Sequence, residues 1–407
     1  MTDPNCRVVV TGLGAVSSLG LGADDFAAAV RAGRSGISSI QSFDTSGFPH
    51  FMAGEVHGFE PGRWLQRLHE EEWGRSSLFA ATAARQAVTD SGMDPDELHR
   101  SRAGSCVGTT SGESVVIEQL VAQWVDDGNM AGLDTTLIGQ LPASQLAVAV
   151  NRELGLTGDA ITLSTACSAS NYALGYAFDL VRTAQADFMV CGGADSVCRW
   201  AHAGFYRLGA LAEQVCRPFD ADRTGILTAE GGVALLLERY DHAIARDAHI
   251  YAEVLGYGLN CDAKHPVQPD PDSIAECIRS AHRNAGVRSD EIDYICAHGT
   301  GTRANDSAEV GAIRQIFGSD PPPVSSIKSM IGHAMGAASG FGALMCCKAI
   351  DEGFLPPTAN VQNIDSEFGP DFDCVAGQAR PAEVRVAENH GFAFGGNNAI
   401  TILGRVS

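Results

Sequence analysis

Ser164-Thr165-Ala166-Cys167-Ser168-Ala169-Ser170-Asn171 is the stretch on which the reading of this 407-residue chain turns. A β-rich run, Ala160-Ile161-Thr162-Leu163, comes before it, and a long helical pattern, Ser170 to Ala184, follows. A cysteine placed where a strand gives way to a helix sits near free backbone N–H groups and the positive end of the helix dipole. Both favour thiolate over thiol, so the sulfur is expected to ionise below its unperturbed value of about 8.5 and to act as a nucleophile. Taken alone, the stretch also suits an inert buried cysteine.

Working outward, short β-rich runs alternate with longer helical ones. Strands are expected near Arg7–Thr11, Gly104–Val107, Ala160–Leu163, Asp187–Cys191, Gly232–Leu237, Ile250–Gly256, Ile292–Ala297 and Ala399–Leu403. Helices are expected near Ser76–Ser91, Ser170–Ala184, Asp272–Ala285, Ser307–Phe317 and Ala334–Asp351. Such alternation predicts a layered α/β architecture with buried, largely parallel strands. The two halves, meeting near Tyr240 to Tyr251, echo each other: each has a strand, a turn of small residues and a Gly/Ala-rich helix, from Ser168 and from Gly336. Gly12-Leu13-Gly14-Ala15-Val16-Ser17 fails as a dinucleotide fingerprint at the third glycine, where Ser17 stands, and predicts a tight strand-to-loop turn instead.

Composition narrows the function classes. With 28 Lys+Arg against 49 Asp+Glu the net charge is −21, the wrong sign for a nucleic-acid binder. No run of about 18 apolar residues is present, so no membrane span is expected. The start, Met1 to Arg7, lacks a basic region followed by an apolar one, so no signal peptide is expected and the cytoplasm is the expected compartment. The 12 cysteines include no C-x-x-C pair, which argues against a zinc framework and for small buried side chains.

Three further stretches carry chemistry. Ala297-His298-Gly299-Thr300-Gly301-Thr302 precedes Asn305, Asp306 and Glu309; Ser326-Ile327-Lys328 leads into Gly332-His333-Ala334. Each sets a histidine against glycines at the end of a β-run, where small neighbours let a substrate approach. Gly391-Phe392-Ala393-Phe394-Gly395-Gly396-Asn397-Asn398 suits a turn that presents backbone N–H groups to an anion, or a tight surface turn.

Together the four stretches resemble the β-ketoacyl-acyl carrier protein synthases, condensing enzymes of fatty-acid and polyketide synthesis within the thiolase superfamily. The likeness runs the whole chain and includes Val9-Val10-Thr11-Gly12, Pro142 to Gly158, and Arg217-Pro218-Phe219-Asp220 with Arg223, Gly225 and Glu230. It implies an α/β, thiolase-like fold with duplicated halves in a layered α-β-α-β-α arrangement. Residues 1–250 would form the half carrying the cysteine, and residues 251–407 the half carrying both histidines. The family's catalytic set falls on Cys167, His298 and His333, with Lys328 ordering the site, Glu309 as its charge partner and Asp306 as a further supporting residue. A second histidine, where initiating synthases carry Asn, implies an elongating enzyme.

The implied reaction is a decarboxylative Claisen condensation of an acyl group on Cys167 with malonyl-acyl carrier protein, requiring no metal or organic cofactor. His298 and His333 would act as neutral donors to the malonyl carbonyl, and the backbone N–H groups of Cys167 and Phe394 would face the acyl carbonyl. Phe394, Gly395, Thr300 and Thr302 would bind substrate, and Ser111 would line the acyl pocket. Ser170, Thr224, Ala229 and Asn397 depart from the common family pattern and imply a type II polyketide ketosynthase rather than a housekeeping fatty-acid synthase. A non-catalytic chain-length-factor-type subunit remains the contrasting reading. Implied partners are an acyl carrier protein bearing phosphopantetheine thioesters and a second subunit, as a homodimer or a heterodimer with a chain-length-factor-like chain. On so acidic a protein a carrier needs a local basic patch, expected at Arg63, Arg67, Arg199 and Arg207.

Overall fold

A computed structural model describes residues 6–407; of the opening segment used to argue against a signal peptide, Met1 to Asn5 lie outside the described residues. Eleven strands form one sheet: β1 Val8–Ser17, β2 Gly20–Leu21, β3 Ala103–Gly108, β4 Ala160–Leu163, β5 Phe188–Asp195, β6 Gly231–Arg239, β7 Ala252–Cys261, β8 Tyr294–Cys296, β9 Val324–Ser325, β10 Val386–Phe392 and β11 Asn397–Gly404. Their order across the sheet is β9-β8-β10-β11-β7-β1-β6-β5-β3-β4, with β2 folded back on β1. The central β1–β7 pairing is short, Val9 opposite Glu253 and Val10 opposite Ala252. Read outward from that seam, the two flanks have the same plan. On one side β1–β6 and β6–β5 are antiparallel, then β5–β3 and β3–β4 parallel; on the other β7–β11 and β11–β10 are antiparallel, then β10–β8 and β8–β9 parallel.

The expectation of largely parallel strands is therefore corrected: the middle of the sheet is antiparallel. Continuous apolar runs such as Gly232–Leu237 report burial on both faces, and here both faces are covered whatever the strand direction. Helices Ala169–Arg182 and Ala338–Glu352 pack together between the two flanks. Helices Arg75–Asp90 and Gln145–Leu154 cover the outer face of the first flank, and Pro271–Ala285 and Arg303–Phe317 that of the second. Five layers result, α-β-α-β-α. The inner helices need small residues where they meet each other and the sheet: Ala338–Glu352 is buried from Ala338 through Ile350, whereas Ala169–Arg182 keeps Tyr176 exposed.

The turn expected at Gly12–Ser17 does not exist. Those residues run straight through β1, with a bulge between Val10 and Gly12. Their glycines serve contact instead: a Cβ on Gly12 would stand 2.0 Å from the Ala87 carbonyl oxygen, and one on Gly14 1.9 Å from that of Ala83. Helix Arg75–Asp90 can lie this close to β1 only over bare backbone. Ten of the 12 cysteines are buried, Cys6 is half-buried and Cys261 exposed.

Candidate active site

Cys167 stands in a 3₁₀ turn, Ala166–Ser168, wedged between β4 and helix Ala169–Arg182. Ala166 has φ +51°, a left-handed conformation that an L-residue rarely takes, so the chain turns sharply just before the sulfur. Cys167 is 6% exposed and lines a narrow pocket together with His298, His333, Thr300, Thr302 and Phe394. Five of the expected site residues thus converge on the cysteine from the second half of the chain. Gly395 lies in the same turn as Phe394, its N–H donating to the Pro266 carbonyl at 2.7 Å.

His298 and His333 face each other edge to face, ring centroids 5.4 Å apart. Both are nearly fully buried, at 4% and 3% exposure. Burial, reinforced by the Lys328 charge, holds both well below the ordinary histidine value, so both are neutral. His333 Nδ1 accepts from the Met335 N–H at 3.1 Å, which places its proton on Nε2. Its backbone is pinned by the first half of the chain: the His333 N–H donates to Leu227 O at 2.7 Å and the Ala229 N–H to His333 O at 2.9 Å.

The thiol itself overturns one expectation. Burial pushes Cys167 up to about 12, outweighing the Lys328 charge and the backbone N–H groups of Cys167 and Phe394, which pull it down. The helix N-terminus is present, but the sulfur is too deep in protein for it to prevail, and the resting group is a thiol. Those two N–H groups nonetheless converge on the sulfur from opposite halves of the chain.

Lys328 is buried in the short helix Lys328–Ile331, and burial lowers its pKa while the fields of Cys296, Glu309 and Cys167 raise it. Glu309 is not its hydrogen-bond partner. That carboxylate accepts from the His298 and Gly299 N–H groups at 2.8 and 2.7 Å and faces His390 Nδ1 at 2.8 Å. Asp306, raised to about 6 by burial, accepts from the Thr300, Gly301 and Phe219 N–H groups. The two acids together fix the 298–301 loop. Thr302 caps helix Arg303–Phe317 and meets Thr300 hydroxyl to hydroxyl at 2.8 Å.

Other expected residues stand apart. Ser111 is not among the residues lining the Cys167 pocket; its N–H donates to Asp195. Arg63 pairs with Glu60 at 2.7 Å. Arg67 meets His99, which bonds Gly155 O beside the start of β3, whereas Cys167 lies near that strand's far end. Arg199 and Arg207 begin and end helix Arg199–Arg207, whose Phe205 lines the pocket and lies against Phe394, centroids 5.8 Å apart.

Two groups escaped the sequence reading. Asp195, fully buried and raised to about 6 by burial, binds the Thr109 hydroxyl and the N–H groups of Thr110, Ser111 and Gly336. His390 joins Glu309 to Glu388. Neither sits in a motif, and the β-run read from the sequence stops at Cys191, short of Asp195.

A neutral histidine pair opposite a cysteine at a sharp strand-to-helix turn defines a thioester-handling site of the thiolase type. The chain belongs to the β-ketoacyl synthase family, acyl-transferring condensing enzymes of fatty-acid and polyketide synthesis: the N-terminal domain of that family matches residues 5–243 and the C-terminal domain residues 251–362. It is 37% identical to 3-oxoacyl-[acyl-carrier-protein] synthase 2 of Synechocystis, covering 96% of each chain. It is 35% identical to nodulation protein E of Rhizobium meliloti, over 98% of this chain and 99% of that one. Among solved structures, the ishigamide ketosynthase/chain length factor superposes with TM-score 0.97 at 48% identity, over 99% of this chain and 100% of that one. A ketosynthase of a type II polyketide system, solved with its acyl-carrier protein, gives 0.90 at 29%, over 99% and 100%.

Proposed function

We propose that the protein is the catalytic ketosynthase of a type II polyketide system, lengthening a carrier-bound acyl chain by two carbons. The single observation that carries this is the meeting of Cys167 with two neutral histidines in one pocket. Cys167 Sγ attacks the acyl thioester carbonyl, losing its proton as the carrier's thiol departs with one, and the acyl group becomes a Cys167 thioester. The N–H groups of Cys167 and Phe394 are the donors for the oxyanion of that step. Malonyl-carrier then enters, its carboxylate leaves as CO₂, and the enolate oxygen is held by Nε2–H of His333 with His298 beside it. The enolate carbon attacks the Cys167 thioester, the C–S bond breaks, and a 3-oxoacyl-carrier is released. Lys328 favours thiolate and keeps both histidines uncharged.

The presence of Cys167, His298, His333 and Lys328 together speaks against a non-catalytic partner subunit. The polyketide assignment draws support from the 48% identity to the ishigamide ketosynthase/chain length factor. A second subunit is supported by exposed apolar side chains, Ile117, Val121, Trp124, Val125, Met130 and Ile138, along helix Ser114–Asp127 and the segment after it. Carrier docking is assigned to the face of helix Arg199–Arg207, and residues 1–250 and 251–407 to the two halves. No helix among the described residues is long and apolar enough to cross a membrane, in keeping with a cytoplasmic enzyme.

The test is intact-mass analysis during turnover. Acyl-carrier alone adds one acyl mass to the Cys167 peptide; malonyl-carrier then removes it with release of CO₂ and a 3-oxoacyl-carrier. Equal use of acyl-coenzyme A and malonyl-coenzyme A, or no mass on Cys167, overturns the proposal.

A further inference from the structure

Behind the catalytic pocket runs a second line of titratable groups that the condensation chemistry does not use. His390 and Glu388 lie two residues apart on β10, so both point to the same face of the strand, toward helices Pro271–Ala285 and Arg303–Phe317. His390 Nδ1 is 2.8 Å from Glu309 Oε1, and its Nε2 is 2.6 Å from Glu388 Oε1. Glu388 Oε2 in turn meets His282 Nε2 at 2.7 Å. The side chains of His390, Glu309 and Glu388 are wholly buried, and that of His282 is 9% exposed.

The geometry constrains the charge. A neutral imidazole has one N–H donor, yet both ring nitrogens of His390 stand at hydrogen-bond distance from carboxylate oxygens. With both carboxylates ionised, a neutral ring would set one nitrogen lone pair against an oxygen; an imidazolium donates to both. Burial alone would push His390 down, but its bonds with Glu309 and Glu388 hold it up at about 9. Burial would likewise push Glu388 up, but the bonds from His282 and His390 hold it down at about 2.

Glu309 is the link to the catalytic site, since the oxygen that faces His390 also accepts from the His298 N–H, and its other oxygen accepts from the Gly299 N–H. Gly299 has φ +36°, so the backbone beside His298 is bent into a conformation that this carboxylate holds. We infer that His390 is a positioning residue: a buried imidazolium clamped between Glu309 and Glu388, it keeps Glu309 on the His298–Gly299 backbone and so aims the His298 ring at the malonyl thioester. This rests on the condensing reading above and adds to it a residue that touches no substrate.

The groups facing His390 are Glu309 on helix Arg303–Phe317, Glu388 on its own strand, Cys296 and His298 from β8 and the loop after it, and the Phe392 ring, 5.2 Å away between centroids. His282 reaches it through Glu388, and Lys328 acts on the same loop. Among these, His390 loses its charge as pH rises through about 9, releasing Glu309 from its cation.

The test separates the two half-reactions. In His390→Gln, malonyl-carrier decarboxylation is expected to fall at least tenfold while acyl loading of Cys167 stays within twofold, with the folded fraction checked by thermal melting. In Glu388→Gln, His390 keeps one carboxylate, and the alkaline midpoint of decarboxylation should move down by a pH unit or more, which loss of packing would not do. Equal losses in loading and decarboxylation, or undiminished decarboxylation in His390→Gln, would overturn the inference. So would an unmoved alkaline limb in Glu388→Gln, and that profile decides alone if His390→Gln does not fold. Wild-type protein that neither loads acyl groups nor releases CO₂ would overturn the condensing reading and this inference with it; an active wild type with unaltered variants overturns this inference only.

Discussion

The turn that carries Cys167 has a twin in the second half of the chain. Ala166–Ser168 leads into helix Ala169–Arg182, and Met335–Ala337 leads into helix Ala338–Glu352. Both 3₁₀ turns open on a non-glycine residue in the left-handed region, Ala166 at φ +51° and Met335 at φ +50°. The two units also bond each other, Ser170 Oγ of the first helix donating to Gly336 O of the second turn at 2.6 Å and the Asn171 N–H to Ser339 Oγ of the second helix at 3.2 Å. At the position of Cys167 the twin has Gly336, whose N–H is bound by Asp195 and whose missing Cβ would fall 2.5 Å from the Thr109 backbone. One turn opens onto a pocket; the other is plugged by the 109–111 loop of the opposite half. Duplication supplied the backbone twice, and chemistry settled where the loops left room. The second half contributes its two histidines to that pocket instead, His298 from the loop after β8 and His333 from two places before its own turn.

The largest test of that division is Cys167→Ala. Acyl loading and condensation should drop by on the order of 10⁴-fold or more, as for other lost nucleophiles. Malonyl-carrier decarboxylation should persist, because both histidines stay in place; its disappearance would mean that the sulfur belongs to the donor set. Next come His298→Ala and His333→Ala, each expected to cost decarboxylation about 10²–10³-fold while Cys167 still takes up acyl groups. Undiminished CO₂ release in both would break the assignment of donors to the second half. A smaller effect tests the plugged turn: Gly336→Ala should lower stability by about 1–3 kcal/mol in denaturant titration, through overpacking against Thr109. A neutral result would show that the twin turn has room after all. The mildest experiment follows thiol reactivity with pH. Because the Cys167 thiol titrates at about 12, its alkylation, read by peptide mass, should keep rising up to pH 10 with no plateau near 8. A plateau in the neutral range would restore the activated resting thiolate.

The strand–helix alternation and the stretches that meet in one pocket were legible because each motif is local: Cys167, His298 and His333 sit among small residues at the ends of β-runs. Burial was not legible, and it reversed the expected direction for the Cys167 thiol. Nor were pairings made across the fold. His282 and Glu388 are 106 residues apart, and Glu309 and His390 are 81 apart, so no spacing rule joins them. Gly12 and Gly14 were misread for the same reason, since the carbonyls that exclude a side chain there belong to a helix some 70 residues on.

Asn171, in the first turn of the helix behind Cys167, donates through its side-chain amide to Asn389 O and Ala399 O, partners 218 and 228 residues further along the chain. During synthesis at about 5–20 residues per second, those partners appear roughly 10–45 s after the helix itself. Through that interval the Asn171 amide can bond only water, and the Phe394 N–H that faces the sulfur has not yet been made. The reactive corner is therefore among the last parts of the molecule to be completed. A chain cut short before the final strands contains the cysteine but has no finished site around it.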